Sequence, residues 1–481
     1  MRMSSKIVFN VLAASVSMAG GILRNKIFAA FLSVNLFGIL SIGQQSSSLL
    51  FTFFAFGLPL GITTLASELL AKSERERIVN ISRIVVLSIV SSLLFFILLM
   101  LIVALDPYFI SRVVTNKEDY ALPIGIVLLS SPLMVAETCL FSIMEGMGML
   151  KEITKFRVVP VLITLPALYF LVSQYYLVGA AVGLVLSEAF MIANGIYLLR
   201  KHISIGWESF HIFSVIPRLI KVAILSFLVG LTWMATDFIT KRYMLGVFGE
   251  VNNSIVQSVA KITDIYPSIA LSWLTMHLFP AIAVNANDRK VVANVVQRTM
   301  LIAVSLVVPI IIVLFALRPI VLEVLYKKEF VIAVNYFGAM LTTGIPKVFS
   351  WVLGLALLPL GMKKQWFYST MIFVAVYVIT IWSSLSHNAS IYSIPIAFGV
   401  AVSVQAVYTL LVLRKHGIVF IAPFRYQVAI FAAMVGLFIA SLFSLYGLAL
   451  AGVLYAFMLY RYDLFSDIKG RLNEIAEKAA R

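Results

Sequence analysis

The sequence has few of the residues from which soluble enzymes and metalloproteins build their sites. Its single cysteine, Cys139, excludes an internal disulfide and a cysteine-rich metal site. Charged residues make up only 12% of the 481 positions, about half their usual share in soluble proteins. The five histidines lack metal-ligand spacing, and neither a Walker motif nor a GxSxG motif occurs. We therefore expect no metal centre, no cofactor, no intrinsic ATPase and no catalytic site.

Apolar residues are abundant instead, at 62% of the chain. Such high hydrophobicity excludes an intrinsically disordered protein. The apolar residues form roughly 14 stretches of about 22 residues, each long enough to cross a bilayer as a helix. The short polar segments that separate them leave no room for a soluble domain. The predicted fold is an all-α polytopic membrane protein with about 14 transmembrane helices.

Basic residues are unevenly distributed over the segments between these spans. With the N-terminus in the cytoplasm, 26 of the 37 Lys and Arg residues lie on cytoplasmic segments and 7 on the opposite side. Because basic residues favour the cytoplasmic face, both termini are predicted to be cytoplasmic. The net charge of +16 is then an orientation signal and does not indicate nucleic-acid binding. A signal peptide over residues 1–20 is a weaker alternative, because the apolar run continues too far.

Similar residues recur at an offset of 211–217 positions along the chain. Arg24 falls on Lys241, Asp106-Pro107 on Arg318-Pro319, and Gly148-Met-Leu-Lys151 on Gly361-Met-Lys-Lys364. The ordered series predicts a duplicated unit of six helices with both copies in the same orientation. Repeats of this kind in transporters place the binding site between the copies, near the membrane midplane.

The duplication divides the chain into four predicted parts. Residues 1–200 and 214–415 form the two six-helix bundles, residues 425–462 two additional transmembrane helices, and residues 463–481 a cytoplasmic tail. The additional part forms either a hairpin of two helices or one re-entrant element. A monomer is expected, since one chain carries both bundles.

Charged and amide side chains lie inside several predicted spans, where a charge costs roughly 2.5–3.5 kcal/mol on insertion scales. That cost favours placement against a partner or in a water-filled cavity. The candidates for binding an anionic substrate are Arg24, Lys26, Gln44, Lys241, Arg242, Lys261 and Lys347. The candidates for ion coupling, with H⁺ or Na⁺, are Glu137, Glu188, Asp237 and Asp264. Since guanidinium groups bind phosphate in a bidentate manner, the basic set predicts a phosphate- or pyrophosphate-bearing substrate.

A structural role is an alternative for each of these residues. Lys261 and Asp264, and likewise Asp237 and Lys241, are one helical turn apart and can neutralise each other. Lys347 has no acidic neighbour within a turn of its own helix, so local pairing explains it least well. The deep glutamates suit a hydrogen bond between helices as well as a role in transport.

Three stretches carry motifs that occur together in one family. The first runs from Arg24-Asn-Lys-Ile-Phe to Gly57-Leu-Pro59, the second from Val256-Gln257 to Asp264-Ile-Tyr266, and the third from Leu325-Tyr-Lys-Lys-Glu-Phe330 to Gly344-Ile-Pro-Lys347. Their order and spacing over about 350 residues resemble Wzx-type flippases of lipid-linked oligosaccharides. These flippases belong to the multidrug/oligosaccharidyl-lipid/polysaccharide (MOP) exporter superfamily, which includes MATE transporters.

The resemblance implies two six-helix lobes in a V shape with two extra helices, in the bacterial cytoplasmic (inner) membrane. Such proteins move undecaprenyl-pyrophosphate-linked repeat units to the outer leaflet by ion-coupled alternating access, for O-antigen-like polysaccharides of lipopolysaccharide. Asp264, Tyr266 and Lys347 match the family motifs best, and Arg24 matches an arginine of its first span. The expected partners are the lipid-linked oligosaccharide and membrane lipid, with a polysaccharide polymerase and a chain-length regulator as further candidates. The glycan itself stays open.

Three alternatives differ in what they require of the sequence. A multidrug cation antiporter of the same superfamily needs a cavity dominated by carboxylates, whereas the predicted spans hold six cations. A membrane glycan polymerase or ligase needs a large extracytoplasmic catalytic loop, and no segment is long enough. A structural scaffold gives no reason for so many costly charges in the spans.

Overall fold

The computed structural model describes residues 19–69, 73–200, 216–387, 390–418, 423–442 and 445–461, with a few isolated positions between them. Every regular element in these ranges is helical, which confirms the predicted all-α class. Residues 7–15, at the start of the first predicted span, and the predicted tail at 463–481 lie outside the described residues.

Two compact units divide the chain, Met1–Ser254 and Ile255–Arg481. The helices of the first unit are α1 (residues 19–31), α2 (Val34–Ala55), α3 (Leu58–Glu68), α4 (Glu74–Leu105), α5 (Phe109–Thr115), α6 (Ala121–Leu128), α7 (Ser130–Gly146), α8 (Leu150–Leu199) and the first part of α9 (Ile216–Val284). The second unit holds the rest of α9, α10 (Arg289–Ala316), α11 (Arg318–Leu325), a 3-10 helix (Lys328–Ala333), α12 (Val334–Leu341), α13 (Gly344–Leu357), α14 (Lys363–His387), α15 (Ser393–Lys415), α16 (Pro423–Ala440) and α17 (Leu445–Arg461).

The boundary between the units lies later than the predicted limits at residues 200 and 214. The reason is the packing of the first part of α9, which lies against the α2–α3 region. A Cβ at Gly57 would overlap the backbone of Ala223, and Asn253 donates a hydrogen bond to the Gly38 carbonyl at 3.1 Å. Residues 216–254 therefore belong to the first unit.

Seven helices among the described residues are long and apolar enough to cross a membrane. The number is nine if two bent pairs, α2 with α3 and α12 with α13, each form one span. The longest helices, α8 and α9, leave helical geometry at Tyr176 and Gly249, so each contains two of the predicted spans. In α8 the chain turns back on itself, because a Cβ at Gly179 would overlap the carbonyl oxygen of Leu171.

A repeated turn supports the predicted duplication. Gly148 follows α7 and Gly361 follows α13, 213 positions later, and both have positive φ, 65° and 73°. After each glycine, a methionine amide donates to the carbonyl five residues earlier, at 2.9 Å in both copies. The order α4 to α8 matches the order α10 to α15 around these turns, with the two arms of α8 equivalent to α14 and α15.

The additional C-terminal part contains two short apolar helices, α16 and α17. A Cβ at Gly447 of α17 would lie 2.7 Å from the carbonyl oxygen of Leu437 in α16, so the two helices pack directly on each other. The Tyr455 hydroxyl donates to the Ser305 carbonyl at 2.8 Å, which fixes α17 to α10. This pair therefore belongs to the second unit.

Candidate functional sites

A cavity of about 170 Å³ in the first unit contains four of its intramembrane charged groups. It lies between α1, α7 and the two arms of α8. Gly20 brings α1 against α8, since a Cβ there would overlap Val161. The charged residues that line the cavity are Arg24 of α1, Glu137 of α7, and Arg157 and Glu188 of α8. We call this the α8 cavity.

The carboxyl groups of the two glutamates of the α8 cavity face each other closely enough to interact. Because an ionised carboxylate can only accept, a bond between two carboxyl groups requires a proton on one of them. The sequence predicts both residues as coupling candidates, and the fold brings them together although they are 51 positions apart in the chain. The pair can therefore hold one proton at mid-helix.

The two arginines contact the cavity in different ways. Arg24 lies in the field of Glu188, and its Nε atom is buried without a hydrogen-bond partner among the described residues. The Arg157 guanidinium carbon lies 4.6 Å from the centroid of the Phe141 ring, which is a cation–π contact.

A second polar cluster connects α2 with the first part of α9. The Lys241 ammonium donates to Asp237 at 2.8 Å and to the Gln45 side-chain oxygen at 3.2 Å. The Gln45 amide in turn donates to Asp237. Lys241 and Asp237 are only 13% and 28% exposed, so the cluster is largely withdrawn from solvent.

A third cluster lies in the second unit. Lys347 of α13 donates to Asp264 of α9 at 2.7 Å, and its ammonium lies 5.6 Å from the centroid of the Phe398 ring. Asp264 is 70% exposed whereas Lys347 is 28% exposed, so one carboxylate oxygen faces open space. Two of the three residues that best match the family motifs, Asp264 and Lys347, are therefore direct partners. The side chain of Tyr266 lies outside the described residues.

The other predicted site residues have separate environments. Arg242 donates to the Val113 carbonyl and to Asn116, at the C-terminus of α5, where a cation is favourable. Beside it Lys117 donates to Glu250 at 2.6 Å, and this bond raises the pKa of the Lys117 ammonium. Lys26 is exposed, and Gln44 and Lys261 are half-buried and have partners.

Two members of these clusters escaped the sequence-based site prediction, Arg157 and Gln45. The count of Lys and Arg residues on each side of the membrane assigns Arg157 to the cytoplasmic side, because it follows Lys151 and Lys155 after a short turn. The signal for its burial is position: α8 begins at Leu150, so Arg157 is two turns inside the helix. Gln45 lies beside the predicted Gln44, and only the direction of the side chain separates the two.

Solved structures with a similar fold are transporters of the MOP superfamily. The lipid II flippase MurJ in an inward closed conformation has a TM-score of 0.70 at 15% identity, covering 95% of this chain and 100% of its own. An inward-facing MATE family multidrug transporter has a TM-score of 0.69 at 14% identity, with coverages of 84% and 98%. A third similar structure is a MOP superfamily transporter from Pyrococcus furiosus, whose reverse pocket polarity suggests a different function. Its TM-score is 0.62 at 15% identity, and the match covers 86% of this chain and 95% of that chain.

The TM-scores establish a shared fold, and at sequence identities of 14–15% the similarity establishes the fold alone. No protein-family model matches the chain, and no curated protein matches it by sequence. The chain is thus a multi-pass membrane protein with the fold of MOP superfamily transporters.

Proposed function

We propose that the protein is a flippase that moves a lipid-linked oligosaccharide across the bacterial inner membrane. Its substrate would be an undecaprenyl-pyrophosphate-linked repeat unit of a surface polysaccharide such as O-antigen. Transport would proceed by alternating access, driven by an ion. The polysaccharide polymerase and the chain-length regulator would act after it, on the units that it delivers.

The observation that carries this proposal is the extent of the similarity to MurJ. That flippase matches 95% of this chain, whereas the MATE transporter matches 84%. The difference is about a tenth of the chain, comparable in length with the α16–α17 hairpin at residues 423–461. The Wzx-type resemblance implies two helices beyond the two lobes, and the hairpin fits this expectation, so its presence supports a lipid-linked cargo over a drug.

The basic residues give the proposal its chemistry. Pyrophosphate oxygens would bind the cationic and amide candidates, Arg24, Lys26, Gln44, Lys241, Arg242, Lys261 and Lys347. Lys347 already binds a carboxylate oxygen at 2.7 Å, and a phosphate oxygen can take the place of Asp264. Asp264 is exposed enough to move into solvent when it is replaced.

The acidic residues would couple this exchange to an ion. Glu137 and Glu188 line the same cavity and can hold a proton between them, so we favour H⁺ over Na⁺. Asp237 and Asp264 would release Lys241 and Lys347 when the substrate binds to these lysines. The carboxylates would then be free to bind the coupling ion, so that ion binding depends on whether the substrate is bound. Ion-coupled transport requires such a link between ion binding and substrate binding.

A complementation assay tests the proposal. Lys347→Gln should abolish surface glycan in a strain that lacks the gene, while the amount of protein in the membrane stays unchanged. Lys364→Gln, which removes an exposed cation from α14 of the same unit, should restore normal glycan. Normal surface glycan with Lys347→Gln would defeat the assignment of this residue to the pyrophosphate.

A multidrug antiporter is the second candidate, because a MATE transporter has nearly the same TM-score as MurJ. The two functions differ in the phenotype of a deletion strain. Loss of a flippase should trap lipid-linked units on the cytoplasmic leaflet with unchanged drug tolerance. Loss of an antiporter should sensitise the cells to cationic drugs and leave surface glycan intact.

A further inference from the structure

One arginine of the α8 cavity has a hydrogen-bond donor that no described residue satisfies. The Arg24 Nε group is buried without a partner among the described residues, and Arg157, which is half-buried, lines the same cavity. A buried N–H group without an acceptor is costly, so the cavity is suited to a ligand that brings acceptors. Each guanidinium can offer up to five N–H groups to such a ligand.

The charges of the cavity define the sign and size of that ligand. Arg24 and Arg157 are both cationic, and the Glu137–Glu188 pair with its shared proton carries one negative charge, so the net charge is +1. Other titratable groups nearby change little. Glu145 acts on Arg157 from an exposed position near the helix end, and Cys139 packs as a neutral thiol beside Glu137. A monoanion balances the site.

We propose that the α8 cavity binds a monoanionic phosphate group, held by Arg24 and Arg157 while Glu137 and Glu188 retain their shared proton. Two guanidinium forks match the several oxygens of a phosphate better than they match a spherical halide. A volume of about 170 Å³ also exceeds the needs of a single halide ion. The phosphate belongs either to a small soluble phosphodiester or to the headgroup of an anionic phospholipid.

The site depends on the proton of the glutamate pair. When the proton leaves, the net charge of the cavity falls to zero, and the second carboxylate competes with the ligand for the guanidinium groups. One unit charge at contact distance changes the affinity for an anion by about tenfold or more, even at the effective dielectric constant of a protein. The cavity therefore binds proton and phosphate together.

Dimethyl phosphate is a suitable soluble probe because it stays a monoanion across neutral pH. We would measure the thermal unfolding of the purified full-length chain in detergent, with dimethyl phosphate, phosphatidylglycerol or chloride at constant ionic strength. Stabilisation by dimethyl phosphate assigns the site to soluble phosphodiesters, and stabilisation by phosphatidylglycerol alone assigns it to a lipid headgroup. No stabilisation by either, or equal stabilisation by chloride, would overturn the proposal.

Two variants locate the effect. Arg157→Gln should weaken the binding of the stabilising phosphate about tenfold or more, whereas Lys155→Gln removes an exposed cation two residues away and should not change it. Glu137→Gln can donate a hydrogen bond to Glu188 but holds no dissociable proton, so the affinity loss between pH 6 and pH 8 should shrink. An unchanged affinity in Arg157→Gln, or an unchanged pH dependence in Glu137→Gln, would contradict the proposal.

This inference shares Arg24, Glu137 and Glu188 with the flippase proposal, but Arg157 belongs to this inference alone. A chain that binds phosphate in the α8 cavity can still fail to export glycan. Conversely, normal export by the Arg157→Gln variant leaves the flippase proposal intact.

Discussion

The two copies of the duplicated unit carry different polar pairs at equivalent positions. In the first unit, Glu137 of α7 faces Glu188 in the second arm of α8 across one cavity. In the second unit, Ser350 of α13 donates to Gln405 of α15 at 2.8 Å. Ser350 is 213 positions after Glu137, and Gln405 is 217 after Glu188, within the predicted offset.

The residue equivalent to Arg157 follows the same trend. At the offset of 213 stands Thr370 of α14, whose hydroxyl donates to the Trp366 carbonyl. At these equivalent positions the second unit thus has neutral groups, and the first unit has two carboxyls and a guanidinium. Since helix contact needs only a hydrogen bond, the charges of the first unit call for another explanation, and we assign them to ligand and proton binding.

The largest expected effect concerns the hairpin of α8. Gly179→Ala should destabilise the protein by about 3 kcal/mol or more, because the new methyl group overlaps the Leu171 backbone. Gly399→Ala in the equivalent α15 should cost far less, since its Cβ would meet only the Thr343 methyl at 3.5 Å. Thermal unfolding of both variants measures the difference. Equal melting temperatures would show that α8 does not turn as described.

The next effect compares the two lysine–carboxylate pairs. Asp237→Asn should cost about 2 kcal/mol, because Lys241 and Gln45 are largely buried around it. Asp264→Asn should cost less than about 1 kcal/mol, since Asp264 is 70% exposed and solvent screens the pair. Chemical denaturation gives the loss of unfolding free energy in each variant. A larger loss in Asp264→Asn than in Asp237→Asn would contradict the burial assigned to the two pairs.

A smaller effect concerns transport. Glu137→Gln should reduce ion-driven glycan export about tenfold, within the usual range of coupling between two ligands, and should flatten its pH profile. Ser350→Ala, which removes the equivalent neutral bond, should leave the pH profile unchanged. Export rates at several pH values separate the two. A profile altered by Ser350→Ala alone would place the coupling in the second unit.

The smallest effect tests the equivalence of the copies. Gly148→Ala and Gly361→Ala should each cost about 1–2 kcal/mol, the usual cost of a left-handed conformation with a Cβ. Neither site has a neighbouring atom within 4 Å of the added methyl, so the cost is conformational in both. Melting temperatures should therefore fall by similar amounts. A tolerated change at one site alone would mean that the repeated turn differs between the copies.

The sequence contained more of the fold than of the sites. Apolar length and the recurring Gly-Met dipeptides predicted the helices and the duplication, because both signals are local. The pairing of Glu137 with Glu188, and of Lys347 with Asp264, joins residues 51 and 83 positions apart. Such contacts depend on how helices rotate against each other, which periodicity does not determine when all faces are apolar. Arg157 was missed because it follows two other basic residues after a short turn and was assigned with them to the cytoplasmic side.

Transfer of an undecaprenyl-pyrophosphate-linked oligosaccharide in proteoliposomes tests the proposed function most directly. The purified chain should move the lipid to the opposite leaflet faster when a proton gradient is imposed. The Glu137→Gln variant should bind the lipid but lose the response to the gradient. Equal transfer by protein-free vesicles, or a full gradient response from Glu137→Gln, would contradict a proton-coupled flippase.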